Sequence, residues 1–167
     1  RAAVKAGRPV GLEAKSFMEK GELVPDNVIM KIVTERLEEG KADARYMFDG
    51  FPRTIAQAEA LDKLMELHGT SIHQVLFLQV NEEELISRLI SRAKTSGRLD
   101  DADPEIQRNR QKVYKQETVP VSEYYDQFGK VVKIDGEGSI EDIFNRLLVA
   151  VDESMQQRKA GLDESNT

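Results

Sequence analysis

The seven residues Gln74-Val75-Leu76-Phe77-Leu78-Gln79-Val80 form the clearest strand in the chain, and a segment of helical periodicity lies on each side of them. Before the strand, Thr54 opens a helix that runs to about Leu67 and ends at His68-Gly69. After it, Asn81 caps a helix with Glu84 at the third position, the arrangement of a capping box. Two further apolar runs read as strands. Tyr46-Met47-Phe48 is predicted to be a buried strand that runs into the turn Asp49–Arg53, and Lys130–Ile134 follows Gly129. Strands alternating with helices specify an α/β fold with a parallel sheet.

The remaining segments are helical. Leu12, Phe17, Met18 and Leu23 share a side between Gly7 and Pro25; Asp26 caps a helix with Val28, Ile29, Ile32, Val33 and Leu37 as its stripe, stopped by Gly40. A helix from Pro104 passes Tyr114, breaks near Pro120 and resumes toward Tyr125. Ser139 caps a last helix with Ile140, Ile143, Leu147, Leu148 and Val151 inward, and residues 155–167 are expected to be a disordered tail.

Composition removes several chemistries. The 167 residues contain no Cys, so a disulfide framework, a thiolate nucleophile and a Cys-ligated zinc site are excluded, and a reducing compartment fits. Two separated His residues give a His-based metal site little to build on. A net charge of −6 argues against wholesale nucleic-acid binding, and no apolar run approaches the roughly 20 residues needed to span a bilayer. Arg1 is followed by no signal-peptide pattern, and the chain is expected to be the remainder of a longer protein.

What is left is chemistry suited to phosphate. Asp49-Gly50-Phe51-Pro52-Arg53 follows a predicted strand, where open parallel sheets place their ligand crevice, and Arg53 offers a planar fork. A plain strand-to-helix turn with a solvated Arg fits the same residues. Arg88 and Arg92 share a helix face, although Glu84 can pair with Arg88 in an ordinary surface bridge. From Arg88 to Lys115 eight basic residues face four acids, leaving +4 here and −10 elsewhere, which suits a local anionic ligand as well as a solvated face. Thr95-Ser96-Gly97-Arg98-Leu99-Asp100-Asp101 adds a Gly-hinged loop with an Arg and two carboxylates, or equally an acidic turn before Pro104. Phosphoryl transfer between nucleotides needs little more, because a phosphate monoester is itself a competent nucleophile near neutral pH and the protein has only to position it and neutralise charge.

In order and spacing, the segment Phe17–Pro25, the Asp49–Arg53 turn, the Arg88/Arg92 helix, Ser96–Asp101 and Gly136-Glu137-Gly138-Ser139 resemble the nucleoside monophosphate kinases, most closely the short-lid adenylate kinases. The resemblance covers Arg1 to about Val151. It implies a P-loop NTPase-type parallel sheet flanked by helices, with one kinase domain over 1–154, residues 1–24 in the monophosphate-binding region and 91–102 as the lid. It further implies that Arg1, Glu22, Leu23, Val24, Gly50, Phe51, Pro52, Arg53, Gln57, Arg98 and Arg110 contact AMP, with Gln57 on the adenine edge. Arg92 and Gly138 would meet ATP, and Arg88, Arg92, Arg98 and Arg110 would clamp phosphates as the catalytic set. Asp49 would orient Mg²⁺ through water, and no zinc is implied. The expected partners are ATP, AMP and ADP, without nucleic acid or membrane, and the expected protein is a cytoplasmic monomer.

Two departures accompany the resemblance. Arg110 lies four residues before Tyr114 as in the family, but the count from Gly97-Arg98 is one residue longer and leaves Asn109 at the usual spacing, so Arg108 competes with Arg110. No G-x-x-x-x-G-K-[ST] occurs, so the phosphate loop and the central strand before it are missing and the sheet is expected to be incomplete. The parent would be an ATP:AMP phosphotransferase, and the chain as given is expected to be inactive. UMP/CMP kinase is the alternative within the class, which Gln57 disfavours; a non-catalytic nucleotide-binding remnant is the alternative outside it.

Overall fold

The computed structural model describes residues 4, 7–40, 44–96 and 103–164. The chain divides into two compact units, one of Arg1–Ile72 and Leu89–Tyr124, the other of His73–Arg88 and Tyr125–Thr167.

The first unit is helical. α1 (Pro9–Glu19) opens with proline at its first position, where the missing N–H costs nothing. Its buried residues are the small Gly11 and Ala14, and Leu12, expected inward, is 58% exposed. α1 packs on α2 (Asp26–Glu38), and Arg8 donates to Glu35 across them at 2.6 Å. Asp26 does not cap α2: Pro25 occupies the cap, Asp26 is the first helical residue, and its carboxylate is engaged elsewhere.

α3 (Ile55–Leu67) is capped by the Thr54 side chain, which accepts from the Gln57 N–H. Its buried Ala58, Leu61 and Met65 fall at helical spacing, and Leu61 and Met65 form the core with Leu37 of α2. Phe48, Phe51, Val33, Leu64 and Ile72 pack around that cluster. Residues 46–48 are not the buried strand expected. Among the described residues nothing pairs with their backbone, Met47 is 85% exposed, and Phe48 is held through its ring, 6.0 Å from that of Phe51. An apolar run becomes a strand only where a ladder satisfies its N–H and C=O groups.

α4 (Glu82–Ser96) begins in the second unit and ends in the first. α5 (Pro104–Val113) is capped by Asp103, whose carboxylate accepts from the Glu105 and Ile106 N–H groups. The break expected at Pro120 does not occur. Tyr114–Thr118 forms a π-helical turn in which the Val119 N–H reaches the Tyr114 carbonyl, and α6 (Val119–Asp126) follows directly. Pro120 thus sits in a continuing helix, directly after the π-helical turn, which is where the regular α-helical ladder is interrupted.

The second unit holds the sheet. β1 (Val75–Gln79) and β2 (Val131–Asp135) pair in parallel from Val75 opposite Val131 to Gln79 opposite Asp135. Two strands are therefore present among the described residues where three were expected. α7 (Ile140–Glu164) lies on β2. Ile143, Leu147 and Val151 are half-buried with Ala150 buried, whereas Ile140, expected inward, is 89% exposed and Leu148 is exposed too. The helix continues into the segment expected to be disordered, where Gln, Arg, Lys, Ala and Leu all favour helix. Among the described residues no helix is long and apolar enough to cross a membrane.

Candidate functional site

In the first unit the Asp49–Arg53 turn is built by its own side chains. Gly50 has φ +65°, and a Cβ there would lie 2.9 Å from Arg53 Nη2. Glycine thus lets the guanidinium fold back so that Arg53 Nε donates to the Gly50 carbonyl at 2.6 Å. The Phe51–Pro52 peptide is cis. The Arg53 backbone is held on both sides: its N–H donates to Gln57 Oε1 at 2.8 Å, and its carbonyl accepts from the Thr118 hydroxyl at 3.0 Å. Its side chain is exposed, and Asp49 is exposed on the same turn.

Gln57 is 2% exposed, the buried polar residue among the described residues. Besides accepting from Arg53, its Nε2 donates to Asp26 Oδ1 at 2.7 Å. Two residues that sequence places 31 apart are thereby joined.

The turn Glu22-Leu23-Val24 follows α1 through Gly21, whose φ is +72° and where a Cβ would stand 2.9 Å from the Ile106 carbonyl. The close approach seats α5 on the turn. Asn109 Nδ2 donates to the Lys20 carbonyl at 3.0 Å and Arg110 Nη2 to the Met18 carbonyl at 3.4 Å. Arg108 is exposed, whereas the Arg110 guanidinium reaches the Met18 carbonyl near the end of α1.

In the second unit the loop after β2 is fixed by two arginines. Arg88 donates from Nη1 to the Gly136 carbonyl at 2.8 Å and from Nη2 to that of Gly138 at 3.3 Å, while its Nε holds Glu84 at 2.7 Å. Arg146 Nη1 takes the intervening carbonyls, Asp135 at 2.8 Å and Glu137 at 2.6 Å. Glu137 Oε1 accepts from the Asn81 N–H at 3.1 Å, so Asn81 caps α4 as expected but Glu84 does not return the capping-box bond. Ser139 and Asp142 do form a reciprocal cap, and those hydrogen bonds, aided by Arg146, hold the Asp142 carboxyl below its ordinary range. The N–H groups of Gly136, Glu137 and Ser139 all have acceptors; that of Gly138, at φ +103°, has none among the described residues.

A family model described as adenylate kinase matches residues 1–130. The adenylate kinase of Parabacteroides distasonis is 46% identical over 151 residues, covering 90% of this chain and 79% of that protein. That of Maricaulis maris is 42% identical over 153 residues, 92% and 81% of the two chains, and that of Methylobacterium nodulans 45% over 148 residues, 86% and 74%. The chain belongs to the adenylate kinase family. It is thus a member of a family of nucleotide phosphotransferases, and its small parallel sheet with flanking helices fits an incomplete P-loop NTPase fold.

Among the residues expected from the adenylate kinase resemblance, Arg1 and Arg98 lie outside the described residues, as do Gly97 and Leu99–Asp101. Glu22–Val24, Asp49–Arg53, Gln57, Arg92 and Arg110 belong to the first unit, Arg88 and Gly138 to the second. Sequence reasoning missed Asp26, Asn109, Thr118 and Arg146. Arg146 alone had a local signal, seven residues beyond the Ser139 cap and so two turns along one helix face. The others act through contacts 28 or more residues distant, which no local spacing announces.

Proposed function

We propose that this chain carries the AMP side and much of the phosphate-neutralising machinery of an ATP:AMP phosphotransferase that gives two ADP. The observation that carries the reading is the Arg53–Gln57 unit, in which a phosphate-type arginine and a buried amide are fixed to one another by the 2.8 Å bond from the Arg53 N–H. A monophosphate held by Arg53 would have its base within the reach of residues on the same turn and helix. Arg1, Gly50, Phe51, Pro52, Arg98 and Arg110 would complete the phosphate side, and Glu22, Leu23 and Val24 would close over the base. Arg92 and Gly138 would serve ATP, the latter with its unpaired N–H. Arg88, Arg92, Arg98 and Arg110 would neutralise the transferring phosphate, a task in which positioning and charge do nearly all the work. Arg88 would do so while it also braces the loop after β2 through the Gly136 and Gly138 carbonyls.

Asp49 is exposed and makes no hydrogen bond among the described residues, which fits one carboxylate holding a hydrated Mg²⁺ through water. When bound with ATP, that ion would supply charge neutralisation on the phosphates. The cytoplasmic, monomeric state that accompanies this reading rests on the family resemblance.

The 167 residues contain no G-x-x-x-x-G-K-[ST], so nothing in them supplies the consecutive N–H groups and lysine that cradle ATP phosphates. By this reading they do not complete the transfer unaided. The test is a coupled assay for ADP with ATP, Mg²⁺ and AMP, on this chain and on one extended upstream by a glycine-rich phosphate loop. Activity in the extended protein alone is expected. Equal activity in both would overturn the inactivity of the given chain, and activity in neither would favour a nucleotide-binding protein without catalysis.

A further inference from the structure

We propose that Asp26 is a specificity-determining residue: it fixes which way round the Gln57 amide presents its edge, and so makes the site select adenine over a base of reversed hydrogen-bonding polarity. The inference rests on the reading of Gln57 as the base-side residue of the AMP site and adds to it the group that sets its orientation.

An amide flipped by 180° has nearly the same shape and the opposite chemistry, so something must decide which end faces where. Here the decision is made twice. Asp26, as a carboxylate, only accepts, and its Oδ1 lies 2.7 Å from Gln57 Nε2. The Arg53 N–H only donates, and it lies 2.8 Å from Gln57 Oε1. Rotating the amide would set an oxygen against a carboxylate and an NH₂ against an N–H, two repulsive contacts in place of two bonds. Burial sharpens this, because a side chain 2% exposed has no water to repair either mismatch.

With those bonds made, the amide keeps one hydrogen on Nε2 and one lone pair on Oε1 without a partner among the described residues. That donor–acceptor pair matches adenine, which offers an N6–H to the oxygen and N1 as acceptor to the NH₂. Hypoxanthine presents the inverse, an acceptor at O6 and a donor at N1. The orientation set by Asp26 therefore predicts a preference for AMP over IMP that resides in Gln57 and depends on a residue that need not touch the nucleotide.

The experiment measures the dissociation constants of AMP and IMP for this chain by titration calorimetry, with the variants Gln57→Ala, Asp26→Ala and Asp26→Asn. The wild type is expected to favour AMP. Asp26→Ala removes one of the two constraints, and the AMP-to-IMP affinity ratio should fall by about tenfold, equivalent to roughly 1.4 kcal/mol. Asp26→Asn has the same size and can accept or donate, so it permits both orientations and should lower the ratio by a smaller factor while leaving the fold intact. If Asp26→Asn holds the wild-type ratio and Asp26→Ala weakens both nucleotides equally, Asp26 is only structural and the proposal is wrong. If Gln57→Ala binds AMP as the wild type does, or the wild type binds no AMP, the reading of the AMP site fails instead. Loss of AMP affinity in Gln57→Ala together with an unchanged ratio in both Asp26 variants sinks the proposal and spares that reading.

Discussion

Two turns in this protein lead into helices with arginine beside them, and they depend on that arginine to different degrees. In the Asp49–Arg53 turn Gln57 and Thr118 hold the backbone, and the Arg53 side chain, although exposed, adds one bond from Nε to the Gly50 carbonyl at 2.6 Å. In the Asp135–Ser139 loop the arginines are themselves the braces, with Arg88 on the Gly136 and Gly138 carbonyls and Arg146 on those of Asp135 and Glu137. An arginine near a phosphate-type turn is thus no phosphate ligand by position alone. What distinguishes the cases is whether the turn would keep its shape without the guanidinium.

The largest test of that contrast is Arg53→Ala in a form of the protein that turns over ATP and AMP. If its guanidinium is available to phosphate, kcat/KM should fall by two orders of magnitude or more, about 3 kcal/mol of transition-state stabilisation, because the contact is charge-assisted and bidentate. Lysine should rescue only in part, since a point charge lacks the fork. Thermal stability should change little, and a large stability loss with near-normal turnover would move Arg53 into the bracing class.

Gln57→Ala comes next. It removes the acceptor for the Arg53 N–H as well as the amide edge, so KM for AMP should rise by about tenfold, and the preference over CMP and UMP should narrow. An unchanged order of preference among the three monophosphates would show that adenine is selected elsewhere.

A smaller effect is expected at the other loop. Arg146→Ala deletes two short hydrogen bonds to carbonyls, but the side chain is 39% exposed and Arg88 still holds the alternate carbonyls, so about 1 kcal/mol of stability is at stake. The readout is faster amide hydrogen exchange across residues 135–139 in the variant. Exchange at wild-type rates would mean that Arg88 suffices and the loop is braced only once.

These contacts also mark the limit of what the residues announce by themselves. β1 was readable to within one residue at each end, because an apolar run bounded by polar residues needs no distant information. The Thr54 and Ser139 caps were readable because the donor and acceptor lie three residues apart. Tyr46–Phe48 failed for the opposite reason, since its strand character depends on a neighbour that the segment does not specify. Asp26 was mistaken for a cap because an acid at a helix start is ordinarily one, and nothing nearby points to Gln57. The candidate site was visible as residue types in order, but its supporting bonds join residues dozens of positions apart and had to be seen in space.

The two units should also differ in the direction of their pH sensitivity. In the first, the Tyr124 hydroxyl donates to Asp62 at 3.0 Å, and burial, followed by that hydrogen bond and the negative charge of Asp62 and Glu59, raises its pKa above the ordinary 10.0. The folded state then retains a proton that the unfolded chain gives up, so this contribution is complete below pH 10 and is lost as pH rises through the raised value. In the second unit Asp142 is held below its ordinary 3.8 by Ser139, so its contribution is present above that value and is lost as pH falls through the lowered one. Tyr124→Phe should therefore flatten the alkaline limb of stability against pH, and Asp142→Asn the acid limb. Denaturant midpoints measured from pH 3 to pH 11 check both signs at once. Asp142 is fully exposed, so the acid change should be the smaller and should shrink further in high salt. A flattened acid limb in Tyr124→Phe, or an alkaline one in Asp142→Asn, would show that the pairings assigned to these two groups are not the ones that set the pH dependence.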